Sequence, residues 1–278
     1  MRNLVLGGAQ FIPGYGKIVK TQTLDIKSIE GILHQSSQAL ITEIDIAENY
    51  IGAKEILALI LKINNFEIST KIEFQGRNPD EIISSLLNTL GTLGKNSFHT
   101  IYIHDWMSLT NSQKCNSLEF LNMVRLIGIT EKIGISIYEL KDLEGLVSKV
   151  DFIQAPLNYF NRDFLKSDVV NDLINKGTKF SARSIFHQGT LLANDVSLRI
   201  KYPAIQEFES YCKSRKLSRL EGALSIYDSQ EIFSKLVVGV DSELRLLEIL
   251  NCKKHVFNDI PAINRNKYQR EFFDPRMW

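Results

Sequence analysis

An acid, a phenol, a lysine and a histidine fall at the ends of apolar runs in this chain. Asp45 closes "ALITEID", Tyr50 follows five residues later, Lys71 closes "EISTK" and His104 closes "TIYIH". Singly, each residue type is commoner as a strand-end cap or a packed side chain. As a set they can move a proton. A phenol with a pKa of about 10 is a poor acid near neutrality. A lysine ammonium about 4 Å away, at an effective dielectric of about 20, favours phenolate by roughly 4 kcal/mol, or up to about three pKa units. Asp45 would keep Lys71 charged and aimed, and His104 would orient a carbonyl oxygen against the phenol. Other chemistry has little support: the three cysteines form no CxxC and the five histidines no HExxH or HxH, so neither disulfides nor a metal site are expected.

Such residues must be delivered by a scaffold. Eight short runs of mostly continuous hydrophobicity recur, near Leu4, Ile41, Ile68, Ile101, Ile133, Ile153, Phe180 and Val237, the pattern of parallel strands buried on both faces. Between them lie stretches of helical spacing. In "PDEIISSLLNTLGTLG", Pro79 suits a first turn, Asp80 and Glu81 favour the positive end, and Gly91 or Gly94 can stop the helix. Eight such units predict an α/β fold, a single-domain (β/α)8 TIM barrel over residues 1–278 with a C-terminal tail from about 255. A doubly wound open sheet is the alternative, but no GxGxxG follows a strand, and "GYGKIV" lacks the third glycine. The segment "HQGTLLANDVSLRIKYP" is expected to be an irregular functional loop. In a barrel of this kind the site forms at the C-terminal strand ends, where the four residues above would converge. The net charge of +1 and the scattered basic residues argue against nucleic acid. No stretch reaches membrane-spanning length, so a soluble cytoplasmic protein acting on a small molecule is expected.

With these residues in view, the chain resembles the aldo-keto reductases over about Leu4 to Leu250. The family's Asp, Tyr, Lys, His tetrad falls in order at Asp45, Tyr50, Lys71 and His104. "LGGAQFIPGYG" resembles the LGTAQFGxxYG opening of one bacterial branch, "DIAENY" the D-T-A-x-x-Y motif, and "IGISIYE" the IGVS segment. "FIQAPLNYFNR", "SARSIFHQGTLL" and "VVGVDS" resemble the last three strands and their loops. The resemblance implies a reductase that binds NADP(H), with NAD(H) as the alternative, across the barrel mouth without a Rossmann domain. In it, Tyr50 protonates the carbonyl oxygen, Lys71 and Asp45 tune Tyr50, and His104 positions the substrate. It further implies that Ser136 and Gln154 hold the carboxamide and that Arg183 replaces a tyrosine stacked on the nicotinamide. Ser184, Phe186, Gln188 and Gly189 would wrap the pyrophosphate, and Gly239, Ser242 and Arg245 would lie near the adenosine phosphate. The chain departs from the pattern at Ile51 and Lys54, unless the register slips to Gly52 and Glu55, and at Ile137, Asp241 and Ile249. An acid at Asp241 would repel a 2′-phosphate.

Tyr15, Trp106 and Phe160, aromatics on loops after the first, fourth and sixth strands, are candidate walls of a pocket for a small carbonyl substrate, with a sugar-derived aldehyde or ketone as the guess. The tail "FFDPRMW" would fold over the substrate or pack on a helix. Two other functions stay open. One is a Schiff-base lyase using Lys71, which its acidic neighbour opposes. The other is a cofactor-binding regulator with little turnover.

Overall fold

The structure, a computed structural model, describes residues 2–12, 19, 24–50, 52, 58, 66–144, 146 and 149–274. Eight parallel strands pair in chain order and close on themselves: β1 (Leu4–Gly7), β2 (Glu43–Asp45), β3 (Glu67–Ile72), β4 (Phe98–Ile103), β5 (Thr130–Ser136), β6 (Phe152–Pro156), β7 (Lys179–Arg183) and β8 (Phe233–Val238). Pairing of Leu4 with Leu236 and of Val5 with Val237 seals the barrel. The apolar runs are these strands. Ile44, Ile68, Ile101, Ile133 and Ile153 are all at most 1% exposed, because helices cover one face of the sheet and the barrel interior the other.

Around the barrel lie α1 (Ile26–Gln38), α2 (Pro79–Leu93), α3 (Asn111–Leu126), α4 (Asp168–Asn175), α5 (Val196–Lys201), α6 (Ala204–Arg215), α7 (Arg219–Asp228), α8 (Glu243–Asn251) and the short α9 (Arg270–Phe273). Helix α2 shows how the local sequence sets its ends. The Asn78 side chain accepts from Glu81 N while Glu81 reaches back to Asn78 N, and Pro79 occupies the first turn. Gly94 stops the helix at φ 63°, whereas Gly91 stays inside it. The segment expected to be irregular differs: it contains α5, which begins where the Asp195 carboxylate accepts from Ser197 N. Among the described residues no helix is long and apolar enough to cross a membrane.

The barrel interior is polar at both ends. Near the N-terminal ends of the strands, Ser69 Oγ donates to Glu43 at 2.6 Å and Lys235 pairs with the other Glu43 oxygen. Tyr102 fills the middle, and a Cβ at Gly134 would lie 2.6 Å from its ring, so the close approach needs glycine there. After α8 the chain climbs the outside of the barrel. Arg2 donates to the Cys252 and Lys253 carbonyls at 2.8 and 3.1 Å, Arg215 pairs with Asp259 at 2.6 Å, and Arg162 donates to the Ile260 and Pro261 carbonyls. Arg265 then donates to the Phe160 carbonyl at 2.8 Å and pairs with Asp163, bringing α9 against the loops after β6 and β7.

Candidate active site

Pairing between β2 and β3 continues past the end of β2: Ile46 N donates to Ser69 O at 2.8 Å and Glu48 N to Lys71 O at 2.9 Å. The chain then turns, with Tyr50 N donating to Ala47 O at 3.0 Å, while His104 N donates to Ile72 O at 2.7 Å. These backbone bonds bring Asp45, Tyr50, Lys71 and His104 to one cavity of about 220 Å³ at the C-terminal ends of the strands. Lys71 Nζ donates to Asp45 Oδ1 and, at 3.3 Å, to the Ile46 carbonyl; Gln154 Nε2 donates to the second Asp45 oxygen at 2.8 Å. Burial pushes Lys71 below the ordinary lysine range, and the Asp45 carboxylate opposes that shift.

The Lys71 ammonium lies 6.0 Å from the centres of two phenol rings, those of Tyr50 and Tyr102. Their surroundings separate them. Tyr102 is buried in the barrel, and desolvation together with the Glu43 and Asp45 charges holds its hydroxyl protonated, well above the usual tyrosine value. Tyr50 is half-buried and lines the cavity. His104, also on the cavity wall, is pushed down to about 3 by burial, with the Lys71 and Arg183 charges adding to the effect. It is therefore a neutral imidazole near pH 7, carrying one N–H that can donate.

The rest of the cavity suits a nicotinamide dinucleotide. Ser136 and Gln154 are register partners on β5 and β6. Gln154 lines the cavity, whereas Ser136 beside it lies off the wall; Ser136 Oγ and Gln154 Oε1 are both buried with no hydrogen-bond partner, a donor and an acceptor of the kinds that a carboxamide pairs with. Arg183 stacks on Tyr138, its guanidinium 4.2 Å from the ring centre, and donates to the Ile137 carbonyl at 3.0 Å. Beyond it, Ser184, His187, Gln188 and Gly189 have φ of 60°, 47°, 51° and 84°. Left-handed residues of this kind form backbone concavities that favour anions, and Ser184, Phe186, Gln188 and Gly189 line the cavity. At the far end, Gly239, Asp241 and Arg245 complete the wall. Ser242 lies off the wall and caps α8 by accepting from Arg245 N at 3.1 Å. Arg245 is drawn to Glu248 at 2.6 Å.

Two expected pocket walls lie elsewhere. Trp106 is fully buried, with Nε1 donating to the Asp142 carbonyl at 2.7 Å. Phe160 is buried against Phe272 and His187, ring centres 5.1 and 5.2 Å apart. Apolar packing claimed both aromatics, because the loops that carry them fold inward. Tyr15 lies outside the described residues, as do Ile51, Lys54 and Glu55, where the motif departs. In the tail, Phe272 and Phe273 pack on Phe160, and residues 275–278 lie outside the description. Gln10, Tyr138 and Leu192 also line the cavity, at positions to which the sequence motifs assign no role. The buried, unpartnered Gln10 Nε2 had a signal in its place just past β1.

The sequence model described as "Aldo/keto reductase family" matches residues 3–261. No curated protein matches the chain by sequence. Among solved structures, the glycerol dehydrogenase from Gluconobacter oxydans is similar with a TM-score of 0.67 at 18% identity, covering 92% of this chain and 88% of its own. An aldo/keto reductase from Brucella melitensis is similar with a TM-score of 0.65 at 15% identity, covering 92% and 88%. These two likenesses carry the fold alone.

Proposed function

The chain belongs to the aldo/keto reductase family, and from that premise we propose that it reduces an aldehyde or ketone to an alcohol with a nicotinamide dinucleotide, Tyr50 giving the proton. The bound dinucleotide supplies hydride to the carbonyl carbon. The observation that carries the assignment of Tyr50 is the contrast between the two phenols beside Lys71: Tyr102 is sealed and held protonated, while Tyr50 opens on the cavity. The Lys71 ammonium, fixed by Asp45, stabilises phenolate character as Tyr50 releases its proton. Neutral His104 donates its N–H to the carbonyl oxygen and holds it toward Tyr50.

A second hollow shares Lys71 and His104 with the first and is otherwise walled by Glu48, Asn49, Glu73 and Arg77. Arg77 is neutralised by Glu48, and Asn49 Nδ2 donates to Glu73 at 3.2 Å. Walls of this polarity suit a substrate with hydroxyl groups beside the carbonyl, such as a sugar-derived aldehyde or ketone. At the adenosine end, Asp241 is exposed and Arg245 is committed to Glu248. That balance favours NAD(H) over NADP(H), because a 2′-phosphate would meet Asp241. Burial of Lys71 favours a Schiff-base reading, since it lowers the amine's pKa. Against this, the amine is 3% exposed and engaged by Asp45 and the Ile46 carbonyl.

Fluorescence titration with NADH and NADPH tests the proposal first, with micromolar binding of at least one expected. Tyr50→Phe then keeps nucleotide affinity within a few-fold while turnover falls by about 10²-fold or more. Turnover that survives the change removes Tyr50 as the acid.

A further inference from the structure

The turn after β7 is held in an unfavourable backbone form. Ser184, His187 and Gln188 all have positive φ, and none is glycine. Such conformations persist only where the surroundings fix them. The fixing contacts centre on His187, which is 2% exposed. Thr190 Oγ1 donates to the His187 carbonyl at 2.9 Å, so the 2.8 Å contact with Nδ1 is a donation from the ring to that hydroxyl. The other side of the imidazole is covered by the C-terminal strap: Phe272 lies 4.6 Å from it, ring centre to ring centre. Phe272 is itself clamped, stacked on Tyr202 at 4.8 Å and edge-on to Phe160 at 5.1 Å, with 1% exposure. Arg162 and Arg265 tie the strap leading to it onto the loop after β6.

We propose that the strap is a positioning element for the dinucleotide: Phe272 braces His187 from behind, and the brace keeps the 184–189 turn shaped to receive the phosphates. The inference rests on the dinucleotide site proposed above. The tail contributes from the outer side of the cradle, through a ring that does not line the cavity. Loss of the brace leaves the backbone of the turn free to relax to ordinary φ values. The bound form must then be re-formed at each binding event, and affinity falls.

Phe272→Leu and Phe272→Ala in the full chain test this, with Phe98→Leu as the matched control. Phe98 is equally buried at the opposite end of the barrel, at the start of β4. Three readouts are taken: thermal midpoint, the dissociation constant for NADH or NADPH by fluorescence, and amide hydrogen exchange across 184–191. The expected result is a rise in nucleotide dissociation constant of about tenfold in the Phe272 variants, with faster exchange confined to 184–191. At a comparable loss of thermal midpoint, Phe98→Leu changes neither. The proposal is overturned if a folded Phe272→Leu protein binds nucleotide within twofold of the parent, or if Phe98→Leu weakens binding as much. Should Phe272→Ala fail to fold, the leucine variant decides. A parent protein that binds neither nucleotide removes the dinucleotide site itself. Unchanged exchange across 184–191 in the variants removes the brace whatever the nucleotide does.

Discussion

The Asp45–Lys71 pair shows why a buried charge must be read with its partners. Each side chain is at most 6% exposed, so either one alone would be a desolvated, uncompensated ion. Asp45→Asn is expected to lower unfolding free energy by about 3–5 kcal/mol in urea titrations. A loss near zero would mean that Lys71 is already neutral. The residue types were legible in sequence, since acids, phenols and lysines at strand ends announce themselves. Their environment was not. Tyr102 is the register partner of Lys71 on the neighbouring strand, and its ring is as close to the ammonium as that of Tyr50, yet nothing in "TIYIH" tells a sealed phenol from an open one. Trp106 and Phe160 were misplaced for the same reason: an aromatic on a loop satisfies a cavity wall and a core equally well until neighbours such as Asp142 and Phe272 are known.

Among the elements, those buried on both faces were the most legible, because a strand between helices and a barrel interior cannot alternate. The limits of α2 were written in its caps. Asn78→Ala is expected to cost about 1 kcal/mol of stability, read as a lower urea midpoint with unchanged slope; no change would show the cap replaced by water. Helix α5 escaped notice because six residues carry too little periodicity to register, although Asp195 ahead of Ser197 is a cap signal. The strap was the least legible element. It is irregular, and it is held by long-range partners such as Arg162, Arg215 and Arg265, which no local pattern connects to it.

At the scale of the molecule, burial of His187 links the cradle to acid stability. Its pKa in the fold is about 3, below the roughly 6.5 of an unfolded chain. Between those values the unfolded state binds the extra proton. The stability tied to the neutral ring is therefore complete above about pH 6.5 and is lost as pH falls toward 3, by up to about 1.4 kcal/mol per pH unit. His187→Gln is expected to flatten the fall in urea stability between pH 6 and 4 by about one proton; an unchanged slope would place the acid sensitivity elsewhere. The strap also sets an order of events during synthesis. The turn after β7 leaves the ribosome well before Phe272 does, so a nascent chain can pair its strands while the cradle still lacks its brace. With the brace as proposed, a chain that has not yet released its strap holds nucleotide about tenfold more weakly than the finished protein, so full-strength loading belongs after translation.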